Sequence, residues 1–157
     1  MLYIKDRSGA YLPAPRDAVL AAARRLSRRQ LRPGAYIRNP NAARAAISEL
    51  LGGYQYEMFA CLFLDSAHRV LAFEEMFRGS VNTAIIHPRE VVKEALRLNA
   101  ASVVLAHNHP SGVSSPSDND LHLTAQLKQI LAVVDVRVLD HLVIGEEITS
   151  LAEQGRL

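Results

Sequence analysis

The side chains best suited to chemistry lie in one segment, His107-Asn108-His109-Pro110-Ser111-Gly112-Val113-Ser114-Ser115-Pro116-Ser117-Asp118-Asn119-Asp120. Two histidines two residues apart on an extended chain project to the same face. Gly112 and the prolines can fold the following loop back, and Ser117 would cap a helix with Asp120 three residues into it. That path could return a carboxylate to the two imidazoles. Two histidines and one carboxylate leave the fourth tetrahedral position of a zinc ion open, the arrangement of a catalytic site. A water bound there has its pKa lowered toward ~7 and can attack at neutral pH. Ser117-x-x-Asp120 also fits a capping box, a purely structural device. The two readings are compatible, because the cap would hold Asp120 in place as a ligand. Cys61 is the only cysteine, which excludes an internal disulfide and a cysteine-based zinc site. No His-Glu-x-x-His is present, and the Pro-Cys-x-x-Cys of zinc deaminases is missing.

The elements that must position these residues follow from the hydrophobic pattern. Residues 1–15, with Pro13 and Pro15, read as an irregular arm. A helix over Asp17 to Leu31 stops at Arg32-Pro33-Gly34. Asn39-Pro40 reads as a cap with proline at the first helical position, and Ala43, Ala46, Ile47, Leu50 and Leu51 then share one helix face before Gly52-Gly53. The apolar run Met58–Leu64 predicts a buried strand, Asp65–His68 a turn, and Val70–Phe77 the return strand of a hairpin. A third strand is expected over Val81–Ile86 and a helix from His87-Pro88 to Asn99. Ser102–Ala106 is again a short buried strand, and it runs directly into His107. A helix from Ser117 aligns Leu123, Leu127, Ile130 and Leu131, and Val134–Leu139 and His141–Ile144 read as two further strands. Strands mixed with helices predict an α/β fold with a central mixed sheet flanked by helices, preceded by a short helical N-terminal arm. The expected division is a basic arm over 1–50 and a main domain over 51–157.

Of the 157 residues, 49% are hydrophobic and 22% charged, which excludes a disordered chain or a collagen-like repeat. No apolar run approaches the ~20 residues that span a bilayer, and the first residues lack the apolar stretch of a signal peptide, so a cytoplasmic protein without membrane association is expected. The net charge of +2 is asymmetric: residues 1–50 hold ten Lys/Arg against three Asp/Glu, the remainder eight against thirteen. Arg24 and Arg28, and Arg25 and Arg29, are spaced four apart and form two adjacent basic stripes on a helix. Such stripes could contact nucleic acid or an acidic partner, or simply be a solvated face, since no aromatic platform is interleaved with them.

The central segment matches the JAMM pattern, His-x-His, seven residues, then Ser-x-x-Asp, and so resembles the MPN-type zinc metalloproteases. The longer run from Glu57 to Leu157 is similar to the RadC family, the bacterial branch of that superfamily. Its stretches appear as His87-Pro88-Arg89-Glu90-Val91, Asn99-Ala100-Ala101, His107 to Gly112, Pro116-Ser117-x-x-Asp120 and Leu139-Asp140-His141-Leu142-Val143-Ile144-Gly145. The resemblance implies an MPN, cytidine-deaminase-like α/β fold. It implies Zn2+ held by His107, His109 and Asp120, with Ser117 stabilising a tetrahedral oxyanion. It also implies a glutamate just before an apolar strand as general base, which Glu57 fits. On its own spacing Glu57 could equally be a solvated residue at a strand start, no better placed than Glu74 or Glu75. The implied activity is hydrolysis of a peptide or isopeptide bond in a polypeptide substrate. The alternative is a DNA-repair-associated or mobile-element accessory module whose metal is not catalytic. Residues 1–50 do not resemble the helix-hairpin-helix region of many RadC proteins, so the short, single-domain form is expected.

Further residues carry open readings. Asp140-His141 could orient a ligand imidazole or form a strand-end hydrogen bond. Asn108 should point away from its flanking histidines and fix the loop. Asp118 reads as a solvated first-turn acid, His68, His87 and His122 as turn or surface residues, and Cys61 as core. The nucleic-acid reading expects changing Arg24, Arg25, Arg28 and Arg29 to Gln to weaken DNA binding and flatten its salt dependence; unchanged affinity across a salt series would end it.

Overall fold

The alternation that turns successive strand residues to opposite faces organises this molecule, because its central strands are covered on both sides. The computed structural model describes residues 2–79 and 85–157. In chain order the elements are β1 (Tyr3–Lys5), β2 (Tyr11–Pro13), α1 (Arg16–Gln30), α2 (Pro40–Leu51), β3 (Met58–Leu64), β4 (Val70–Arg78), α3 (Pro88–Arg97), β5 (Ser102–Asn108), α4 (Asp118–Val133), β6 (Arg137–Ile144) and β7 (Ile148–Ser150). β1 and β2 form a small antiparallel ribbon, and the other five strands form one sheet in the order β4-β3-β5-β6-β7. That sheet is mixed: β5 and β6 are parallel, joined through α4, and the other neighbours are antiparallel. The α/β architecture with a central mixed sheet and flanking helices is the one expected.

β3 reads as a continuous apolar run because both of its faces are buried. On one side Ala60, Leu62 and Leu64 meet Ala46, Ile47 and Leu50 of α2. On the other, Phe59, Cys61 and Phe63 meet Val91 and Ala95 of α3 and Leu127 and Leu131 of α4. Each large side chain so buried contributes roughly 1.5–3 kcal/mol, so these two layers hold the sheet rigid beneath the loops at its edge. α2 begins as its sequence indicates: Asn39 Oδ1 accepts from the Asn41 amide at 3.0 Å, with Pro40 at the first helical position. Cys61 is fully buried, and burial pushes its thiol up, as befits a core residue.

Two local readings differ from expectation, and a third falls mostly outside the described residues. The arm is not irregular throughout: Asp6 Oδ1 accepts from the Ser8 and Ala10 amides at 2.8 and 2.9 Å, closing a turn between β1 and β2. Its prolines are tolerated because Pro13 ends β2 and Pro15 precedes α1. The two strands expected at 134–144 are a single strand, β6, and α4 continues to Val133. Asp140 does not break β6, because Ser150 Oγ, the His141 amide and the Ala152 amide all donate to its carboxylate. The strand expected over 81–86 lies outside the described residues at 81–84, and Ile85 and Ile86 have no regular structure.

Register and a close backbone approach fix the geometry at the C-terminal edge of the sheet. The register between β5 and β6 slips by one residue after Val103, so that Leu105 stands opposite His141 and His107 opposite Val143. Without the slip Asp140, not His141, would share the face of His107. At the end of β6, the Gly112 carbonyl accepts from the Glu146 amide at 2.7 Å. A Cβ on Gly145 would stand 2.2 Å from that same carbonyl oxygen and 2.7 Å from the Ser114 nitrogen. Gly145→Ala is therefore expected to destabilise the fold by about 1–3 kcal/mol through backbone overpacking, read as a lower urea midpoint at constant m-value.

Candidate metal centre

β5 carries the chain outward to the site. His107 is buried near the end of the strand, Asn108 is the last strand residue, and the His109 amide still donates to the Ile144 carbonyl at 2.8 Å. This extended geometry turns His107 and His109 to one face and Asn108 to the other. The loop after His109 returns through Gly112, whose φ of +85° suits glycine, to the start of α4. There Ser117 and Asp120 form a reciprocal capping box. The Ser117 amide and hydroxyl both donate to Asp120 Oδ2 at 2.7 Å, and Ser117 Oγ accepts from the Asp120 amide at 3.1 Å. Asp120 Oδ1 is thereby turned toward His107.

The three groups converge. His107 Nε2 and His109 Nε2 lie 3.0 Å apart, His107 Nε2 lies 3.2 Å from Asp120 Oδ1, and His109 Nε2 lies 3.5 Å from Asp120 Oδ2. Tetrahedral zinc with bonds of about 2.0–2.2 Å sets donor–donor edges at about 3.3–3.6 Å. The spacing and the donor chemistry thus fit a zinc ion or a similar divalent cation. Glu57 joins them from the residue before β3: one ligand atom from each of Glu57, His107, His109 and Asp120 lies within 4.8 Å of the others. Burial alone would raise the Asp120 carboxyl. The Ser117 amide and hydroxyl act against that, since both donate to Oδ2 and favour the carboxylate.

Hydrogen bonds behind the rings orient them. His109 Nδ1 lies 2.7 Å from the Val113 carbonyl, which can only accept, so Nδ1 carries the hydrogen and Nε2 presents a lone pair. His107 Nδ1 lies 2.8 Å from Nε2 of the fully buried His141. Burial, with the neighbouring His107, depresses His141 well below the ordinary imidazole range. The site opens into a cleft of about 550 Å³ lined by Glu57, Ile86, Val113, Ser117 and Leu123 among others.

All five residues singled out from the sequence meet here. Glu74 and Glu75 do not join this cluster; Glu75 instead accepts from the Tyr54 hydroxyl at 3.0 Å and lies 3.8 Å from Arg28. The pair Asp140-His141 divides between its two readings. His141 faces His107, whereas Asp140, on the other face, binds Ser150 and Arg44. His122 lines the cleft and His87 stands at the N-terminus of α3. Sequence reasoning missed Thr124, whose hydroxyl contacts His141; its spacing of four from Asp120, one helical turn, was the available signal. It also understated Asn108. That side chain does point away from the histidines, but it grips the backbone around Glu57. Its Oδ1 accepts from the Met58 amide at 2.8 Å and its Nδ2 donates to the Tyr56 carbonyl at 3.0 Å.

A mixed sheet that presents His-x-His at the end of one strand, with a capped Ser-x-x-Asp helix closing on it, defines a JAB-type (MPN) domain. The model for the RadC-like JAB domain matches residues 37–156, and the chain belongs to the RadC family. A UPF0758 protein of Thioalkalivibrio sulfidiphilus is 50% identical over 141 residues, 90% of this chain and 63% of that relative. One from Janthinobacterium is 52% identical over 90% of this chain and 63% of the relative. One from Alcanivorax borkumensis is 47% identical over 99% of this chain and 73% of the relative. The chain thus spans less than two thirds of the length of the first two. Among the described residues no helix is long and apolar enough to cross a membrane.

Asn108→Ala strands the buried Met58 amide and removes a donor from the half-buried Tyr56 carbonyl. It is expected to cost about 1–3 kcal/mol in unfolding free energy and to speed hydrogen exchange at the Met58 amide more than in the centre of β3.

Proposed function

We propose that this chain is a zinc-dependent metallopeptidase that hydrolyses a peptide or isopeptide bond of a polypeptide substrate. The observation that carries this reading is the convergence of Glu57, His107, His109 and Asp120 on one point at the wall of an open cleft. His107 Nε2, His109 Nε2 and Asp120 would hold the ion. Zinc, when bound, supplies a Lewis acid that polarises the scissile carbonyl and acidifies a water. Glu57 takes the proton from the attacking water on its carboxylate and passes it to the leaving nitrogen, so that the amine departs neutral.

Ser117 has two parts to play with one hydroxyl proton. That proton now goes to Asp120 Oδ2, which anchors the carboxylate. Support of a developing oxyanion requires the hydroxyl to turn from Asp120 to the substrate oxygen, while the Ser117 amide keeps its own bond to Oδ2. Ile86, Val113 and Leu123 give the cleft apolar wall on which a substrate side chain can pack.

A second reading, an accessory role in nucleic-acid contact, is supported by the exposure of Arg24, Arg25, Arg28 and Arg29 along α1. It is weakened by the contact of Arg28 with Glu75.

Purified without chelator, the wild type is expected to carry stoichiometric zinc by elemental analysis, and His107→Ala and Asp120→Ala to lose it. Glu57→Gln should retain zinc yet cleave a peptide library about 10²–10⁴-fold more slowly, the range of a lost general base. A wild type that neither carries nor takes up zinc, or a Glu57→Gln protein as active as the wild type, would overturn the reading.

A further inference from the structure

Behind the three donors lies a buried chain of polar groups that the proposed reaction does not use. Thr124 Oγ1 lies 2.6 Å from the Asp120 carbonyl and 2.5 Å from His141 Nδ1. His141 Nε2 lies 2.8 Å from His107 Nδ1. We infer that Thr124 and His141 are positioning residues: their relay holds His107 in the tautomer whose Nε2 lone pair faces His109 and Asp120. The inference rests on the metal-site reading above.

The direction of the relay follows from counting donors. A backbone carbonyl can only accept, so the single Thr124 hydroxyl proton goes to the Asp120 oxygen. Thr124 Oγ1 must then accept from His141, which places that ring's hydrogen on Nδ1. Neutral His141 is left with a lone pair on Nε2, which accepts from His107 Nδ1–H. His107 therefore presents a bare Nε2 to the cluster. With the threonine proton turned the other way, every step reverses and His107 Nε2 carries a hydrogen, which no metal ligand can. The bond from Thr124 to the helix backbone is what decides between the two.

Geometry reinforces the chemistry. The Phe59 ring lies nearly parallel to His107 with centroids 6.5 Å apart and meets His141 edge-on at 5.8 Å, so both imidazoles border the apolar core. The relay also begins and ends at one residue. It starts on the Asp120 carbonyl and finishes at the nitrogen that faces the Asp120 carboxylate 3.2 Å away. The first turn of α4 thus sets its own carboxylate and the tautomer of its partner together. Partners that fix a ligand imidazole in this way typically change metal affinity by 10–100-fold when removed.

Two readouts on the full chain test this. The first is the His107 tautomer in metal-stripped, 15N-labelled protein at about pH 8.5, above the imidazole range, from two-bond proton–nitrogen spectra. The second is zinc affinity by competition with a chelating dye. The wild type should carry the His107 hydrogen on Nδ1. Thr124→Val, nearly isosteric, and His141→Phe should mix the tautomers and weaken zinc binding about 10–100-fold. Thr124→Ser keeps the hydroxyl and His141→Gln can accept and donate at the same two ends, so both should stay within about threefold of the wild type. A wild-type His107 with its hydrogen on Nε2 would overturn the inference. So would a folded Thr124→Val protein with unchanged tautomer and zinc affinity. If the wild type shows the Nδ1 tautomer but binds no zinc, the relay stands and the metallopeptidase reading alone fails.

Discussion

Two imidazole nitrogens and a carboxylate face one another across 3.0–3.5 Å, each presenting electron pairs. Such a cluster is repulsive in itself and becomes attractive only around a cation. The protein must therefore impose it by forces generated elsewhere: the two apolar layers on the sheet, the cap on α4 and the hydrogen bonds behind each ring. His109 is held from behind by the Val113 carbonyl, His107 by His141, and Asp120 by the amide and hydroxyl of Ser117. No donor atom is left to find its own orientation.

Strand alternation divides the work between the two faces of the sheet. On the α3–α4 side lie His107, His141 and Phe59, which build the cluster and its relay. On the α2 side lie Asn108 and Asp140, both buried and both satisfied by several partners. Asn108 ties the end of β5 to the backbone on either side of Glu57, so the acid and the histidines are placed by one side chain. Asp140 ties β6 to the β7 segment and, through Arg44, to α2. The one-residue slip between β5 and β6 allocates these roles, because it sends the histidine rather than the aspartate to the site. A buried acid against the two imidazoles would have altered both the charge and the geometry of the cluster.

Much of the scaffold was legible because its signals are local. The Asn39-Pro40 cap, the apolar run of β3 and the Ser117-x-x-Asp120 box each act within one or two turns of chain, and each forms as its residues indicate. The failures share one cause. Asp140 read as a break between two strands because an acid inside a buried strand is costly; the groups that make it tolerable include Ser150, Ala152 and Arg44, all distant in sequence or on another element. Pro13 and Pro15 read as disruptive, yet both sit where no ladder bond is lost. Glu57 was distinguishable from Glu74 and Glu75 only by family resemblance, since nothing in its immediate sequence points toward His107.

Periodicity and capping are properties of neighbouring residues, so the shared face of His107 and His109 on an extended strand, the cap that anchors Asp120 and the α/β class were readable along the chain. The assembled fold was needed to bring Glu57 to those side chains, to set His141 and not Asp140 behind His107, and to give each ring its hydrogen-bond partner. Those outcomes depend on strand order, on a register slip and on the direction of hydrogen bonds between elements, which involve residues as far apart as Met58 and Asn108 and leave no trace in local spacing.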